Sequence, residues 1–307
     1  MRTTRIAGAF AGIAIAALAL TACNSGTPGA EPSPTGGASE APAGNPWTVA
    51  DGVTIEGSPT FDRIKSAGVV KVGVKEDQPG LGFLDPTTGK RTGFDVDVAR
   101  WIAASLGYDE DKIEFTAIPS ANREQAIVNG DIDYYVGTYS ITDKRKDQIS
   151  FAGPYFVTGQ GLLVAADNDT ITGKDALTAD DVVCSATGST SIQRIKDETP
   201  AQTKEYDTYS TCVEELKNGQ VDAVTTDEAI LIGYAAQAPD ELKVVGDVFS
   251  EERYGVGIAK GDTALQDAGL ADPGGPGGGR GLRQLDPQHP AHPRDVLLRL
   301  LRTDPAA

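Results

Sequence analysis

The chain has 307 residues, of which 44 are acidic and 27 are basic, so that its formal net charge at neutral pH is −17. Such acidity argues against nucleic acid as a partner and favours solubility. The chain has only two histidines, and both lie in an unusual C-terminal tail far from the cysteines. The sequence therefore predicts no metal site and no cofactor.

Residues 1–22 have the pattern of a secretory signal peptide. Two early arginines precede an apolar stretch, residues 6–20, that is too short to make a good membrane span. The run Leu20-Thr21-Ala22-Cys23 is similar to a bacterial lipobox. That similarity implies cleavage before Cys23, lipid on its thiol and attachment to the outer face of the cell membrane. An ordinary signal peptide with a chance cysteine is the alternative. Residues 23–49, rich in glycine, proline, serine and alanine, predict a flexible tether.

Predicted strands and helices alternate through residues 50–157. The β-branched run Val69–Lys75 predicts a strand, and further strands are expected at Ile113–Ile118 and Tyr134–Val136, with helices between them. Residues 78–83 contain a proline and two glycines and predict a loop. The alternation predicts an α/β lobe with right-handed crossovers, in which a ligand lies beyond the carboxyl ends of the strands.

Polar side chains follow each of these three predicted strands. Lys75 ends the first, Ser120 and Arg123 follow the second, and the stretch Thr138–Arg145 follows the third. Cations at three strand ends predict an anionic ligand with more than one carboxylate. Solvated surface charge is the alternative for Lys75 and Arg123.

The stretch Thr138–Arg145 lies between a strand and the start of a short polar helix that Ser140 or Thr142 can cap. Backbone N–H groups, the hydroxyls of Thr138 and Ser140 and the guanidinium of Arg145 are groups that bind a carboxylate. By itself, the same stretch is also typical of an N-cap followed by a solvated charged turn.

The wider run that extends from Asn129–Asp133 through Phe151–Phe156 closely resembles the signature of the extracellular solute-binding proteins of family 3. Members of this family deliver polar amino acids to ABC importers. The resemblance covers about residues 53–267 and implies a two-lobed α/β fold of the type II periplasmic-binding-protein kind, hinged by two crossover strands. Lobe 1 would comprise residues 50–157 with a return at residues 253–267, and lobe 2 would comprise residues 158–252.

The resemblance also implies roles for residues at the α-amino acid end of a ligand. Arg145 would hold the α-carboxylate, with help from Thr138 and Ser140. Thr190 resembles the residue that grips this carboxylate from the opposite lobe, and Asp227 resembles the counter-ion of the α-ammonium. From the residues alone, Thr190 and Asp227 are also typical of helix capping.

Lys75, Ser120 and Arg123 occupy positions where the acidic amino acid binders of the family recognise the ligand side chain. Glutamine binders usually lack the cation at the position of Arg123. The resemblance therefore implies a monomeric, lipid-anchored receptor for glutamate, with aspartate or glutamine as alternatives, whose partner is an ABC permease. Ligand binding would close the hinge.

Cys184 and Cys212 form an even pair in a chain that we expect to be exported. Such a pair predicts a disulfide within lobe 2. Two buried thiols are the alternative.

Two further functions are weighed against transport. An enzyme on the same fold, such as a dehydratase or a lytic transglycosylase, is disfavoured because no histidine lies in the predicted lobes. Asp95 and Asp97, the pair that suggests acid–base chemistry, are better explained by helix capping. A sensory receptor that reports to a membrane kinase is the other alternative, and the sequence does not separate it from a transport receptor.

Residues 268–307 break with the rest of the composition. They contain five arginines, six prolines and seven glycines, but no lysine, glutamate or aromatic residue. The stretch resembles translation in a shifted reading frame, with an unusual natural tail as the alternative. We expect it to be largely irregular and to deprive lobe 1 of apolar cover.

Overall fold

The structure is a computed structural model and describes residues 48–268. The predicted signal peptide, Cys23, all but the last two residues of the predicted tether, and the tail from residue 269 onward lie outside the described residues. Within residues 48–268, no helix is both long enough and apolar enough to cross a membrane.

The described chain contains thirteen strands and eight α-helices. Its strands are β1 (Val70–Val74), β2 (Asp77–Gln78), β3 (Gly82–Leu84), β4 (Arg91–Thr92), β5 (Ile113–Ala117), β6 (Tyr134–Val136), β7 (Ser150–Thr158), β8 (Gln160–Ala165), β9 (Val182–Ala186), β10 (Gln202–Tyr206), β11 (Ala223–Asp227), β12 (Leu242–Val245) and β13 (Glu252–Ile258). Its α-helices are α1 (Pro59–Ala67), α2 (Phe94–Ser105), α3 (Arg123–Asn129), α4 (Asp143–Lys146), α5 (Thr190–Glu198), α6 (Tyr209–Lys217), α7 (Glu228–Gln237) and α8 (Thr263–Ala268).

The first five-stranded sheet has the order β5-β1-β6-β13-β7. Strands β5, β1 and β6 are parallel, with Val72 opposite both Phe115 and Tyr134, whereas β13 runs antiparallel to β6 and β7. Val72 and Tyr134 are buried against Ile102 of α2 in the core of this lobe. Because β1, β5 and β6 are parallel, the residues that follow them meet at one edge of the sheet.

The second five-stranded sheet has the order β10-β9-β11-β8-β12, with β9, β10 and β11 parallel. Its core packs Leu163 and Val224 against Ile230 of α7. The predicted disulfide is present: Cys184 on β9 and Cys212 on α6 are joined by a 2.02 Å S–S bond. The bond joins α6 to an interior strand of this sheet.

The chain crosses between the sheets twice, once from β7 into β8 and once on the return into β13. The two crossings lie side by side, since the N–H of Gln160 donates to Ser250 Oγ at 3.0 Å. A Cβ atom on Gly159 would lie 2.4 Å from the Ser250 carbonyl oxygen. Glycine is therefore required where the crossings touch.

One local prediction was right only in part and another was wrong. Residues 79–81 of the predicted loop at 78–83 form a turn, but the residues on either side contribute to a small antiparallel sheet in the order β2-β3-β4, whose strands of two or three residues are too short to show a period. Asp95 does not cap α2, which begins after Gly93 without a side-chain cap. Its buried carboxylate instead accepts hydrogen bonds from the Thr138 N–H and the Tyr155 hydroxyl, both at 2.8 Å.

Candidate ligand-binding site

The carboxyl ends of β1 and β5 bring three predicted site residues into contact. Lys75 Nζ donates to Ser120 Oγ at 2.8 Å, and Arg123 Nε donates to the Ser120 carbonyl at 3.1 Å. Lys75 is 4% exposed and Arg123 is 3% exposed. Among the described residues, neither of these cations forms an ion pair with a carboxylate. The surface-charge alternative therefore does not describe them.

Arg145 lies beside this pair at the end of α4, which Thr142 caps by accepting the Arg145 N–H at 3.2 Å. Its guanidinium donates to Glu124 at 3.1 Å, to the Ser140 carbonyl at 2.7 Å and to the Gly188 carbonyl of the second lobe at 3.3 Å. Arg145 is thus held by both lobes.

The ring of Tyr139 contacts both arginines. Its centroid lies 4.3 Å from the guanidinium carbon of Arg123 and 4.9 Å from that of Arg145. An aromatic face attracts a cation, so that this ring stabilises the two guanidinium groups in one site. The Tyr139 hydroxyl is buried and has no hydrogen-bond partner among the described residues.

Thr138 adopts a left-handed backbone conformation with φ of 45°. Its N–H is bound to Asp95, and its hydroxyl lies 3.1 Å from Gln78 Nε2. The N–H expected to be free for a carboxylate is therefore already hydrogen-bonded. Ser140 contributes its carbonyl to Arg145, and its backbone pairs with that of Tyr254.

The second lobe contributes Thr190 and Asp227 at the ends of β9 and β11. Ser189, not Thr190, caps α5, and the Thr190 hydroxyl donates to Glu252 at 3.4 Å. Asp227 makes no side-chain cap with α7. Its Oδ2 accepts from the Tyr254 hydroxyl at 2.7 Å, while its Oδ1 is buried without a partner in the described part of the chain.

Residues 70–268 match the family described as bacterial extracellular solute-binding proteins, family 3. The chain belongs to this family. It is 46% identical over 211 residues to the glutamate-binding protein GluB of Corynebacterium efficiens, a match that covers 66% of this chain and 71% of that protein. It is 41% identical to the glutamine-binding protein of Geobacillus stearothermophilus, over 67% of this chain and 79% of that one.

A solved structure, an ancestral arginine-binding protein bound to arginine, aligns with a TM-score of 0.61 and 37% identity, over 66% of this chain and 89% of that one. The two-lobed α/β fold predicted from the sequence is confirmed. Both curated relatives are binding proteins rather than enzymes.

The charges of the site oppose each other across the lobes. Burial, followed by the charge of Arg123, lowers the pKa of Lys75 to about 7, and the same two causes lower the pKa of Arg145. Burial, followed by the charge of Glu252, raises the pKa of Asp227 to about 7. Buried cations of lobe 1 thus lie opposite the carboxylate of Asp227, an arrangement that suits a zwitterion with an additional negative group.

Sequence reasoning missed Tyr209, the first residue of α6. This side chain is 5% exposed, and burial followed by the charge of Asp227 raises the pKa of its hydroxyl to about 12, whereas Arg123 acts in the opposite direction. Its hydroxyl therefore lies near charged residues of both lobes. No signal in the sequence separates this tyrosine from an ordinary core aromatic.

Proposed function

We propose that this protein is an extracellular receptor that binds an acidic amino acid, glutamate above all, and delivers it to an ABC permease. In this proposal Cys23 is the lipid-bearing residue that keeps the receptor at the cell surface. The observation that carries the proposal is the convergence of Lys75, Arg123 and Arg145, all buried, opposite the half-paired carboxylate of Asp227.

In this proposal each group binds one end of the ligand. The α-ammonium is placed at Asp227 Oδ1, which is a buried acceptor without a donor in the described chain. The α-carboxylate is placed between Arg145 and the start of α5 at Thr190, with Thr138 and Ser140 beside it. A buried charge is stable only when it is paired. In this position the ligand would pair its α-carboxylate with Arg145 of lobe 1 and its ammonium with Asp227 of lobe 2.

The side-chain carboxylate is placed at Lys75, Ser120 and Arg123. Of the three cations, Arg145 is paired with Glu124, whereas Lys75 and Arg123 have no ion-pair partner among the described residues. The second carboxylate of glutamate supplies that partner, whereas the neutral amide of glutamine does not. This difference favours glutamate, although the similarity to a glutamine-binding protein makes glutamine the second candidate.

Closure follows from the division of the site between the lobes. A ligand bound first to the cations of lobe 1 presents its ammonium to Asp227, and the lobes then close over it. The closed form is the one that we expect a permease to recognise.

Titration calorimetry with glutamate, aspartate, glutamine and arginine tests the proposal. We expect glutamate to bind at least about tenfold more tightly than glutamine, since one lost partner of a buried charge pair costs about 2–5 kcal/mol. Lys75→Met and Arg123→Met should abolish that preference. Lys71→Met, which removes an exposed lysine from the same strand, is the matched control and should leave it intact. Tighter binding of glutamine or arginine than of glutamate would overturn the proposal.

A further inference from the structure

A short segment of lobe 1, Asp77–Leu81, which we name the latch, lies against two helices of lobe 2. Asp77 Oδ2 accepts hydrogen bonds from the backbone N–H groups of Tyr209 at 2.9 Å and Ser210 at 3.2 Å, the first two residues of α6. The Tyr234 hydroxyl of α7 donates to the same carboxylate oxygen at 3.3 Å and also to the Asp77 carbonyl. First-turn N–H groups lack partners within their helix, and the helix dipole favours a carboxylate there. Asp77 supplies that carboxylate from the opposite lobe.

The rest of the latch fits lobe 2 by shape. Leu81 is fully buried within the apolar cluster of lobe 2. A Cβ atom on Gly233, in the interior of α7, would lie 2.3 Å from the Pro79 carbonyl oxygen. The Pro79 carbonyl and the backbone of α7 leave no room between them for a methyl group. Glycine at position 233 therefore permits this close contact.

We propose that the latch holds the two lobes in their closed arrangement and that Asp77 is a positioning residue that seats Tyr209 against the bound ligand. This inference rests on the proposed function, because it assigns the latch a role in retaining the ligand. Lys75 lies two residues before Asp77, so that one segment contacts the binding site and also docks on α6. Ligand binding at Lys75 and closure onto α6 are thereby coupled.

Ligand dissociation from the full chain tests the latch. Asp77→Ala should raise the dissociation rate of glutamate by about tenfold to a hundredfold, because charge-assisted hydrogen bonds between the lobes are lost and closure mainly sets the off-rate. Asp77→Asn should have a smaller effect, since its amide oxygen still accepts a hydrogen bond. Glu76→Ala is the matched control: it removes the neighbouring carboxylate, whose ion pair with Arg91 lies on the surface at 3.5 Å. Equal rates for Asp77→Ala and Glu76→Ala would overturn the proposal.

Amide hydrogen exchange measures the contacts of the latch and does not depend on which ligand binds. The N–H groups of Tyr209 and Ser210 should exchange more slowly in the unmodified chain than in Asp77→Ala, both without ligand and with glutamate. Equal exchange in both conditions would overturn the latch. Failure of any amino acid to bind would overturn the proposed function alone and leave the ligand-free comparison to decide the latch.

Gly233→Ala tests the fit of the latch without changing Asp77. The methyl group should prevent the contact with Pro79, so that the N–H groups of Tyr209 and Ser210 exchange faster without ligand and glutamate dissociates at least about tenfold faster. Alanine is itself favourable in a helix interior, so these effects would not come from a weakened α7. An unchanged dissociation rate would contradict the latch.

Discussion

Replacing Asp227 with asparagine should stabilise the ligand-free protein while removing most of its affinity for an amino acid. The carboxylate has one bound oxygen, which accepts from Tyr254 at 2.7 Å, and one buried oxygen that lacks a partner among the described residues. Asparagine keeps nearly the same shape but carries no charge. The change therefore removes the free-energy cost of burying an unpaired charge. It also removes the counter-ion of the ligand ammonium.

The size of the stability effect depends on pH. Burial, together with the charge of Glu252, raises the pKa of Asp227 from 3.8 to about 7. In the unfolded chain the carboxyl loses its proton near the lower value, and in the folded chain near the higher one. The folded state is therefore destabilised progressively as the pH rises between these values, and by a constant amount above them. About three pKa units correspond to at most about 4 kcal/mol.

Urea unfolding at about pH 8 and about pH 4 measures this difference. Asp227→Asn should raise the unfolding free energy at the higher pH and change it little at the lower one. Titration calorimetry should show a loss of affinity of about 2–5 kcal/mol, or about thirtyfold to several thousandfold. Asp222→Asn is the matched control, since Asp222 is exposed and accepts only the Val182 N–H among the bonds of the described chain, at 2.8 Å. An Asp227→Asn protein that binds glutamate normally, or that is less stable at pH 8, would refute the reasoning.

Glutamate affinity should be greatest near pH 7. It should fall at higher pH, because a bound carboxylate raises the pKa of Lys75 above its ligand-free value of about 7 and binding then requires proton uptake, and it should fall at lower pH, because Asp227 must lose its proton to pair with the ligand ammonium; calorimetry in buffers of different ionisation enthalpy detects the proton taken up or released. Tyr254→Phe should raise the pH below which glutamate binding weakens, because the tyrosine hydroxyl lowers the pKa of Asp227 and its loss would raise that pKa; an unchanged pH profile of binding would contradict this role. Reduction of the disulfide, whose cysteines are 28 residues apart, should lower the unfolding free energy by about 3–4 kcal/mol; an unchanged urea midpoint after reductant would contradict it.

The strand-end rule located the lobe 1 part of the site without any structural information. Lys75, Ser120 and Arg123 belong to segments that are far apart in the sequence, yet parallel pairing of β1 with β5 brings them within hydrogen-bond distance. The rule succeeds because the β-branched runs identify the strands, and parallel strands place their carboxyl ends at one edge. Their predicted roles toward a ligand stay predictions.

The same reasoning could not find the contacts that connect distant segments through single polar residues. Asp95 was assigned a local capping role from its place at a helix start, but its carboxylate binds Thr138, 43 residues away. Asp77 gave no signal, because its partners on α6 lie about 132 residues later, in the other lobe. Capping rules describe hydrogen bonds within a turn, whereas these contacts depend on how whole elements pack.

The charges of the site oppose closure of the lobes without ligand and favour it when a ligand is bound. Lys75, Arg123 and Arg145 share a buried space, and burial together with the charge of Arg123 lowers the pKa of Lys75. Closing the lobes buries these cations further, and it also removes Asp227 from water. A ligand with two carboxylates and an ammonium compensates both sides, whereas the latch adds contacts that are independent of the ligand. We infer that the contacts of the latch make the free energies of the open and closed forms nearly equal without ligand. The charges of the ligand then determine whether the lobes close, so that selectivity for the ligand and closure of the lobes have the same physical cause.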